Sequence, residues 1–336
     1  MLKNLALAVS MTLALTSATH AKNPVAAYKS SLAQTSLLTD IELVSDKIIA
    51  VGERGHIIYS TDGKDWHQAN VPVNVLLTSI SFKDADTGFA VGHDATILKS
   101  TDGGINWQKV NFQPELDKPF LSIKSFGDTV IAAGAYGLYW ESKDGGNTWS
   151  DQFQDELLIE DDRLYLEDLK QFEPDVYEQE KQFMLPHFNN VSMVEDVLYL
   201  AGEAGFIAQS FDLGENWIQL DSDYFGSYFS VTDFKGQVLL AGLRGNLYSS
   251  DDKGQSWQQV ETPVKATINT TITEQSSVFH FANSGNLFYS INGEKLKNHV
   301  FDDGKAIMSG VVWQDTLFLA TEAGIKSISL LELSKK

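Results

Sequence analysis

Short apolar runs separated by turn-forming residues follow one another along most of the chain. Between residues 37 and 71 they read LLTDIELV (37–44), KIIAVG (47–52), HIIYS (56–60) and WHQANV (66–71). Each has the length and composition of a β-strand. The quartet then repeats. Its second and third runs form a motif found as AVGERGHIIYS from Ala50, AVGHDATILKS from Ala90, AAGAYGLYWES from Ala132 and LAGEAGFIAQS from Leu200. It continues as LAGLRGNLYSS from Leu240, HFANSGNLFYS from His280 and LATEAGIKSIS from Leu319, which makes seven copies. Units of about 40 residues, β-rich and broken by Gly-rich turns, are the signature of propeller blades. The pattern therefore predicts an all-β fold, a seven-bladed propeller of four-stranded blades. The seventh unit ends after three strands near Leu333, so a segment between Pro24 and Ser36 is expected to supply the missing outer strand and remove the free edge.

A second motif follows the third strand of most units: STDGKDW at Ser60, STDGGINW at Ser100, SKDGGNTW at Ser142, SFDLGENW at Ser210 and SDDKGQSW at Ser250. A remnant, SING, begins at Ser290. In such a turn Asp accepts backbone N–H bonds and Gly takes positive φ. The Trp buries roughly 150–250 Å², a stabilisation of at most ~4–6 kcal/mol. Asp62, Asp102, Asp144, Asp212 and Asp252, with Trp66, Trp107, Trp149, Trp217 and Trp257, are accordingly read as structural.

Two stretches break the β pattern. Residues 1–21 carry Lys3, an apolar run from Leu5 to Leu15 and small residues up to Ala21, the layout of a signal peptide cleaved after Ala21. The run is shorter than the ~18 residues a membrane span requires, and the mature chain, residues 22–336, is expected to be one periplasmic or secreted domain. The other break lies between the third and fourth octets. There residues 151–185 hold twelve Asp or Glu against Arg163, Lys170 and Lys181. Leu158, Tyr165, Leu169 and Phe172 fall at helical spacing, and Pro174 suits the start of a second helix, so a small helical flap between blades three and four is expected; the alternative is a solvated loop.

Composition narrows the function. The formal charge is −20 and there is no cysteine, so nucleic acid and anionic lipid are disfavoured and a protein with a basic surface is the expected partner. No disulfide framework or lipid-bearing cysteine is available. The seven histidines are scattered, and no His-rich metal motif, P-loop or nucleophile elbow occurs, so no cofactor, metal or catalytic residue is assigned.

The octet resembles the Asp-box of sialidases and other propellers. The fused pattern AVGHDATILKSTDGGINW is more specifically similar to the photosystem II stability/assembly factor-like family of seven-bladed propellers. That resemblance implies a non-catalytic assembly factor, and its non-photosynthetic bacterial members imply a link to envelope complexes, transporters among them. An arginine-rich patch marks the photosynthetic members, whereas this chain has only Arg54, Arg163 and Arg244. Photosystem binding is not carried over.

Topology puts the flap on the face of the turns between second and third strands, opposite the Asp-boxes. Those turns supply Glu53, Arg54, His93, Asp94, Tyr136, Glu203, Arg244, Asn283, Ser284 and Glu322, with Tyr224, Phe225, Tyr228 and Phe229 nearby either on the rim or in the core. Arg54, Asp94, Tyr136, Arg163, Glu203, Arg244 and Glu322 are the candidate partner-binding residues of a scaffold that is monomeric on its own. The alternative is a glycan-binding or sialidase-like hydrolase propeller, for which Glu203 and Glu322 offer carboxylates.

Overall fold

The computed structural model describes residues 24–335; the expected signal peptide lies outside them. Seven antiparallel sheets are present among the described residues, six of four strands and one of three. In blade one, strands Leu38–Val44, Lys47–Gly52, Ile57–Ser60 and His67–Gln68 lie side by side in chain order. The later blades repeat this arrangement, and blade seven comprises Ile307–Trp313, Thr316–Thr321 and Gly324–Ser329. Each innermost strand neighbours that of the next blade, and the last returns to the first, so the ring is closed. The core is distributed between blades. Ile49 and Val51 of blade one, for instance, pack with Leu77, Ile80 and Trp107 of blade two.

The second strands are almost wholly buried because both faces meet a neighbouring sheet. Every innermost strand carries a register shift after its first residue. Beside that bulge the chain crosses the end of the second strand, which explains the glycine of the A-V-G motif. A Cβ on Gly52 would stand 2.1 Å from the Leu37 carbonyl oxygen, and the corresponding gap at Gly92 is 2.2 Å.

The innermost strands present their outer edges to the central channel, where unpaired backbone groups would be costly. Side chains from the preceding blade satisfy them. Thr39 Oγ1 donates to Leu77 O at 2.7 Å and Thr78 Oγ1 to Phe120 O at 2.7 Å. Asp40 Oδ2 accepts from Ile80 N at 3.0 Å, Ser122 Oγ from Val191 N at 3.2 Å, and Asn190 Oδ1 from Val231 N at 3.1 Å. Ser309 Oγ donates to Asp40 Oδ1 at 2.9 Å, joining blade seven to blade one.

Closure differs from the expectation in one respect. Residues 24–36 form no strand; they contain a 3-10 turn, Ala33–Thr35, packed against the third strand of blade seven. The stretch before it ties to the rim of blade one, with Ala27 N donating to Val71 O at 3.0 Å and Ser30 N to Gln68 Oε1 at 2.8 Å. Blade seven stays three-stranded. After its third strand the chain turns into a short helix, Leu330–Ser334, whose Leu333 is fully buried and whose Leu333 carbonyl accepts from Tyr289 Oη of blade six at 3.1 Å. The helix thus packs into the junction of blades six and seven, and the Ala33–Thr35 turn lies against the third strand.

Candidate interaction surface

The octet turns behave as fold elements. In SKDGGNTW, Ser142 Oγ donates to Asp144 Oδ1 at 2.9 Å and accepts from Gly146 N at 2.8 Å. Asp144 Oδ1 in turn accepts from Asn147 N and Thr148 N at 2.9 and 2.8 Å, and Thr148 Oγ1 donates to Oδ2 at 2.7 Å. Asn106, Asn216 and Ser256 repeat that last contact with Asp102, Asp212 and Asp252. The turn glycines sit on the preceding blade. Gly146, at φ 76°, leaves only 2.1 Å between a would-be Cβ and the Phe89 ring of blade two. Trp149 meets that ring edge-on at 6.0 Å, and Trp217 meets Tyr139 of blade three at 6.2 Å. Trp66 and Trp257 likewise join clusters that contain the preceding blade's side chains.

The donors stabilise the charged Asp. Hydrogen bonds from the Ser256 hydroxyl and backbone hold Asp252 down at about 2 from an ordinary 3.8. With the folded value below the unfolded one, this contribution is present above pH ~4 and is lost as pH falls through about 2. A carboxyl-carbon NMR titration of the folded protein should give Asp252 a midpoint near 2; a midpoint near 4 would contradict the hydrogen-bonded turn.

On the opposite face, Arg54, Asp94, Tyr136 and Arg244 occupy the same crest position of blades one, two, three and five. All are left-handed, with φ of 56°, 57°, 52° and 59°. Arg54 and Arg244 are exposed. Hairpins at the other end share this backbone shape, at Lys235 and Gln275 for example, so backbone strain does not distinguish the two faces. Glu203 and Glu322 brace their own blades: Glu203 Oε1 accepts from His187 N at 3.1 Å and Glu322 Oε2 from Ala306 N at 3.1 Å. His93, beside Asp94 in the crest turn of blade two, and Asn283, of blade six, help line a channel-mouth cavity of about 630 Å³ with Phe229, Leu243 and Met308.

The 151–185 insertion is ordered as helices Glu160–Phe172 (α1) and Pro174–Glu180 (α2) flanked by 3-10 turns. Acids in the first turn of α1 and Lys170 in its last suit the helix dipole. Leu166 and Leu169 are buried, while Leu157 and Leu185 join the core between blades three and four. At its start, Glu156 Oε1 accepts from Trp217 N at 3.1 Å; at its end, Gly137 N donates to Pro186 O at 2.9 Å. The insertion thus clasps the outer wall of blades three and four from one face to the other. It contributes nothing to the lining of the channel-mouth cavity.

A buried lysine fixes this clasp. Lys118 is 5% exposed, its ammonium bonded to the Gln182 carbonyl and lying 5.1 Å from the Phe183 ring centroid and 5.7 Å from that of Tyr136. Burial lowers its pKa, with Asp151 opposing. Tyr136 also meets His187 edge-on at 4.5 Å, and His187 leads to Glu203. Of the sequence candidates, then, Tyr136 and Glu203 are brought together around His187. Arg163 lies within α1, paired to Glu160 and, at 3.3 Å, to Glu167. Arg54, Asp94, Arg244 and Glu322 stand on separate blades.

The aromatic quartet divides. Tyr228 is fully buried, and Tyr224 is half-buried with its hydroxyl donating to Leu243 O at 3.2 Å. Phe225 is 88% exposed. Alternation within a strand and display on a loop look alike in four consecutive-type aromatic positions, so sequence alone did not single it out.

This architecture is a seven-bladed β-propeller with one helical insertion. The family model for the photosynthesis system II assembly factor YCF48 matches residues 58–159. The photosystem II assembly lipoprotein Ycf48 of Synechococcus sp. (strain CC9902) is 27% identical over 127 residues, 36% of this chain and 38% of that protein. The solved structure of YCF48 bound to D1 peptide superposes with a TM-score of 0.66 at 16% identity, covering 91% of this chain and 98% of that one. These matches make the chain similar to Ycf48 assembly factors, in sequence over part of its length and in fold over most of it. The propeller fold is also shared with the GH74 xyloglucanase of Xanthomonas campestris, at 11% identity and a TM-score of 0.62 over 88% of this chain and 52% of that one. No helix among the described residues is long and apolar enough to cross a membrane.

Proposed function

We propose that the chain is a non-catalytic, protein-binding scaffold or assembly factor for an envelope protein complex such as a transporter. In this reading it is a bacterial, non-photosynthetic member of its family, monomeric on its own and working in the periplasm. The observation that carries the reading is the insertion, whose clasped helices hold a strongly acidic, partly apolar surface on the outer wall of blades three and four, reaching the crest turns at Tyr136 and Glu203. Named relatives act in photosystem assembly, and one solved YCF48 holds a D1 peptide; a protein ligand for this chain agrees with both. Those relatives are called lipoproteins, whereas this sequence contains no cysteine. A hydrolase reading finds less support, since Glu203 and Glu322 each hold a backbone N–H on a different blade.

Residues 160–180 hold nine Asp or Glu against Arg163 and Lys170. Such a field steers basic partners and fades with salt. Replacing residues 160–180 by a short Gly-Ser loop should leave a cooperative thermal melt and abolish recovery of envelope partners in crosslinking pull-downs read by mass spectrometry. Unchanged partner recovery across salt concentrations would rule the insertion out as the recognition element.

A further inference from the structure

Between the insertion and blade four lies a groove of about 290 Å³. One wall is the insertion, with Leu158 and Ile159 leading into α1 and Met184 beyond α2; the other is the connection to blade five, with Tyr224 and Phe225. Ile159 is 60% exposed and Phe225 88% exposed, a pair of large apolar side chains displayed across one concavity. Asp162, Glu203 and Asp221 also line it, and no lysine or arginine does.

Both apolar walls are held in place. The Phe225 loop is pinned by Gly205 N donating to Gly226 O at 2.8 Å and by Tyr224, whose ring lies 5.1 Å from that of Tyr228. Ile159 is the N-cap of α1 and makes no side-chain capping bond, although Ser, Thr, Asp or Asn there would stabilise the helix. An exposed isoleucine at that position serves the helix poorly and the groove well.

We propose that this groove is the docking site for a partner segment bearing one or two apolar side chains flanked by Lys or Arg. The assignment rests on the scaffold reading and names the partner's chemistry. The groove buries the apolar groups, and the carboxylates receive the cations at the rim, where they remain solvated and contribute mainly to association rate and selectivity. Acidic or purely polar segments are rejected by repulsion or by the lack of anything to bury.

The test uses fluorescence anisotropy with a labelled Lys-Lys-Leu-Ser-Leu-Lys-Lys peptide and a counterpart with serine in place of leucine. The full chain should prefer the leucine peptide by about tenfold or more at physiological salt, and Ile159→Ser combined with Phe225→Ser should reduce that preference to about twofold or less. Asp162→Asn with Asp221→Asn should weaken both peptides at low salt and converge on the parent at high salt. Both variants should still melt cooperatively, the Ile159→Ser change gaining an N-cap and the Asp162→Asn change losing a charge that suits the helix dipole. The absence of a leucine preference in the parent, or its persistence in the Ile159/Phe225 variant, would overturn the proposal. If that variant keeps the envelope partners that the 160–180 replacement loses, the groove assignment fails and the scaffold reading stands. If the 160–180 replacement keeps them too, the scaffold reading fails with it.

Discussion

Trp107→Ala should destabilise the protein by about 3–5 kcal/mol, the range for truncating a large core aromatic, and lower its melting temperature by on the order of 10 °C. Trp107 is 5% exposed, and its indole N–H donates to the Gly104 carbonyl at 2.9 Å. The ring stands edge-on to Phe82 at 6.0 Å and shares a cluster with Ile49 and Val51 of blade one. Truncation therefore opens a cavity at a junction between blades and removes one tie of the turn. Trp149 is only half-buried, so Trp149→Ala should cost less. Peptide binding in the groove beside blade four should be unchanged in Trp107→Ala at temperatures where it is folded. A Trp107 variant of parental stability that had lost partner binding would mean that the octets are ligand sites and not corners of the fold.

Glu42→Gln should stabilise the protein at pH 8 by between about 1 and 3 kcal/mol and leave it unchanged at pH 4. Glu42 projects from the innermost strand of blade one into the channel wall, where its carboxylate accepts from Phe82 N at 3.1 Å. Burial pushes it up from 4.5 to about 7; Lys124 and the Phe82 N–H oppose the rise and Asp40 adds to it. The folded value exceeds the unfolded one, so the contribution favours folding below pH 4.5 and is lost as pH rises through 7. Gln keeps the acceptor and loses the charge. His280 acts with the opposite sign: fully buried beside Thr271 Oγ1 at 2.8 Å, it is held down from 6.5 to about 4 by burial. Its contribution is present above pH 6.5 and lost as pH falls through 4. The two slopes largely offset between pH 4.5 and 6.5, so the wild-type profile alone conceals both. Denaturant titrations of parent and Glu42→Gln at pH 4, 6 and 8 separate them, and parallel profiles would show that channel water hydrates Glu42 as bulk solvent does.

The repeated parts of the fold were legible because a propeller asks the same thing of each blade. The A-V-G glycine, the octet Ser and Asp, and the Trp recur since each meets the same neighbour, as Gly52 and Gly92 meet Leu37 and Leu76. Pro174 marked the start of the second helix of the insertion, but the spacing of Leu158, Tyr165, Leu169 and Phe172 did not give the buried face of α1: Leu158 precedes the helix, Tyr165 and Phe172 are exposed, and Leu166 lies inside with Leu169. What was not legible depends on contacts between blades. The polar residue shared by innermost strands, as in Asp40, Ser79, Ser122, Asn190, Ser230 and Ser309, was a readable signal of the channel-wall network, yet its meaning lies in the edge of the next blade. The stretch from Pro24 to Ser36 is expected to be a strand because blade seven lacks one; that it instead lays a 3-10 turn against the third strand depends on packing that the sequence pattern does not carry. At the candidate surface, Glu203 and Phe225 both sit in connections, and only packing shows that the first braces a backbone and the second faces solvent.

The bond from Ser309 to Asp40 joins residues 269 positions apart, and the order of folding follows from it. No backbone ladder links the first and last blades, so the innermost strands of both must exist before that seam can form. A chain emerging from its N-terminus can assemble blade upon blade through local hairpins, each stacking on the one before. Meanwhile Ile48, Ala50 and Ile58 of blade one, which pack against Phe318 and Ala320, wait uncovered until the final residues arrive. Closure is thus a late step with a large loop entropy to overcome. During that interval the open arc exposes an apolar flank that only its own seventh blade fits.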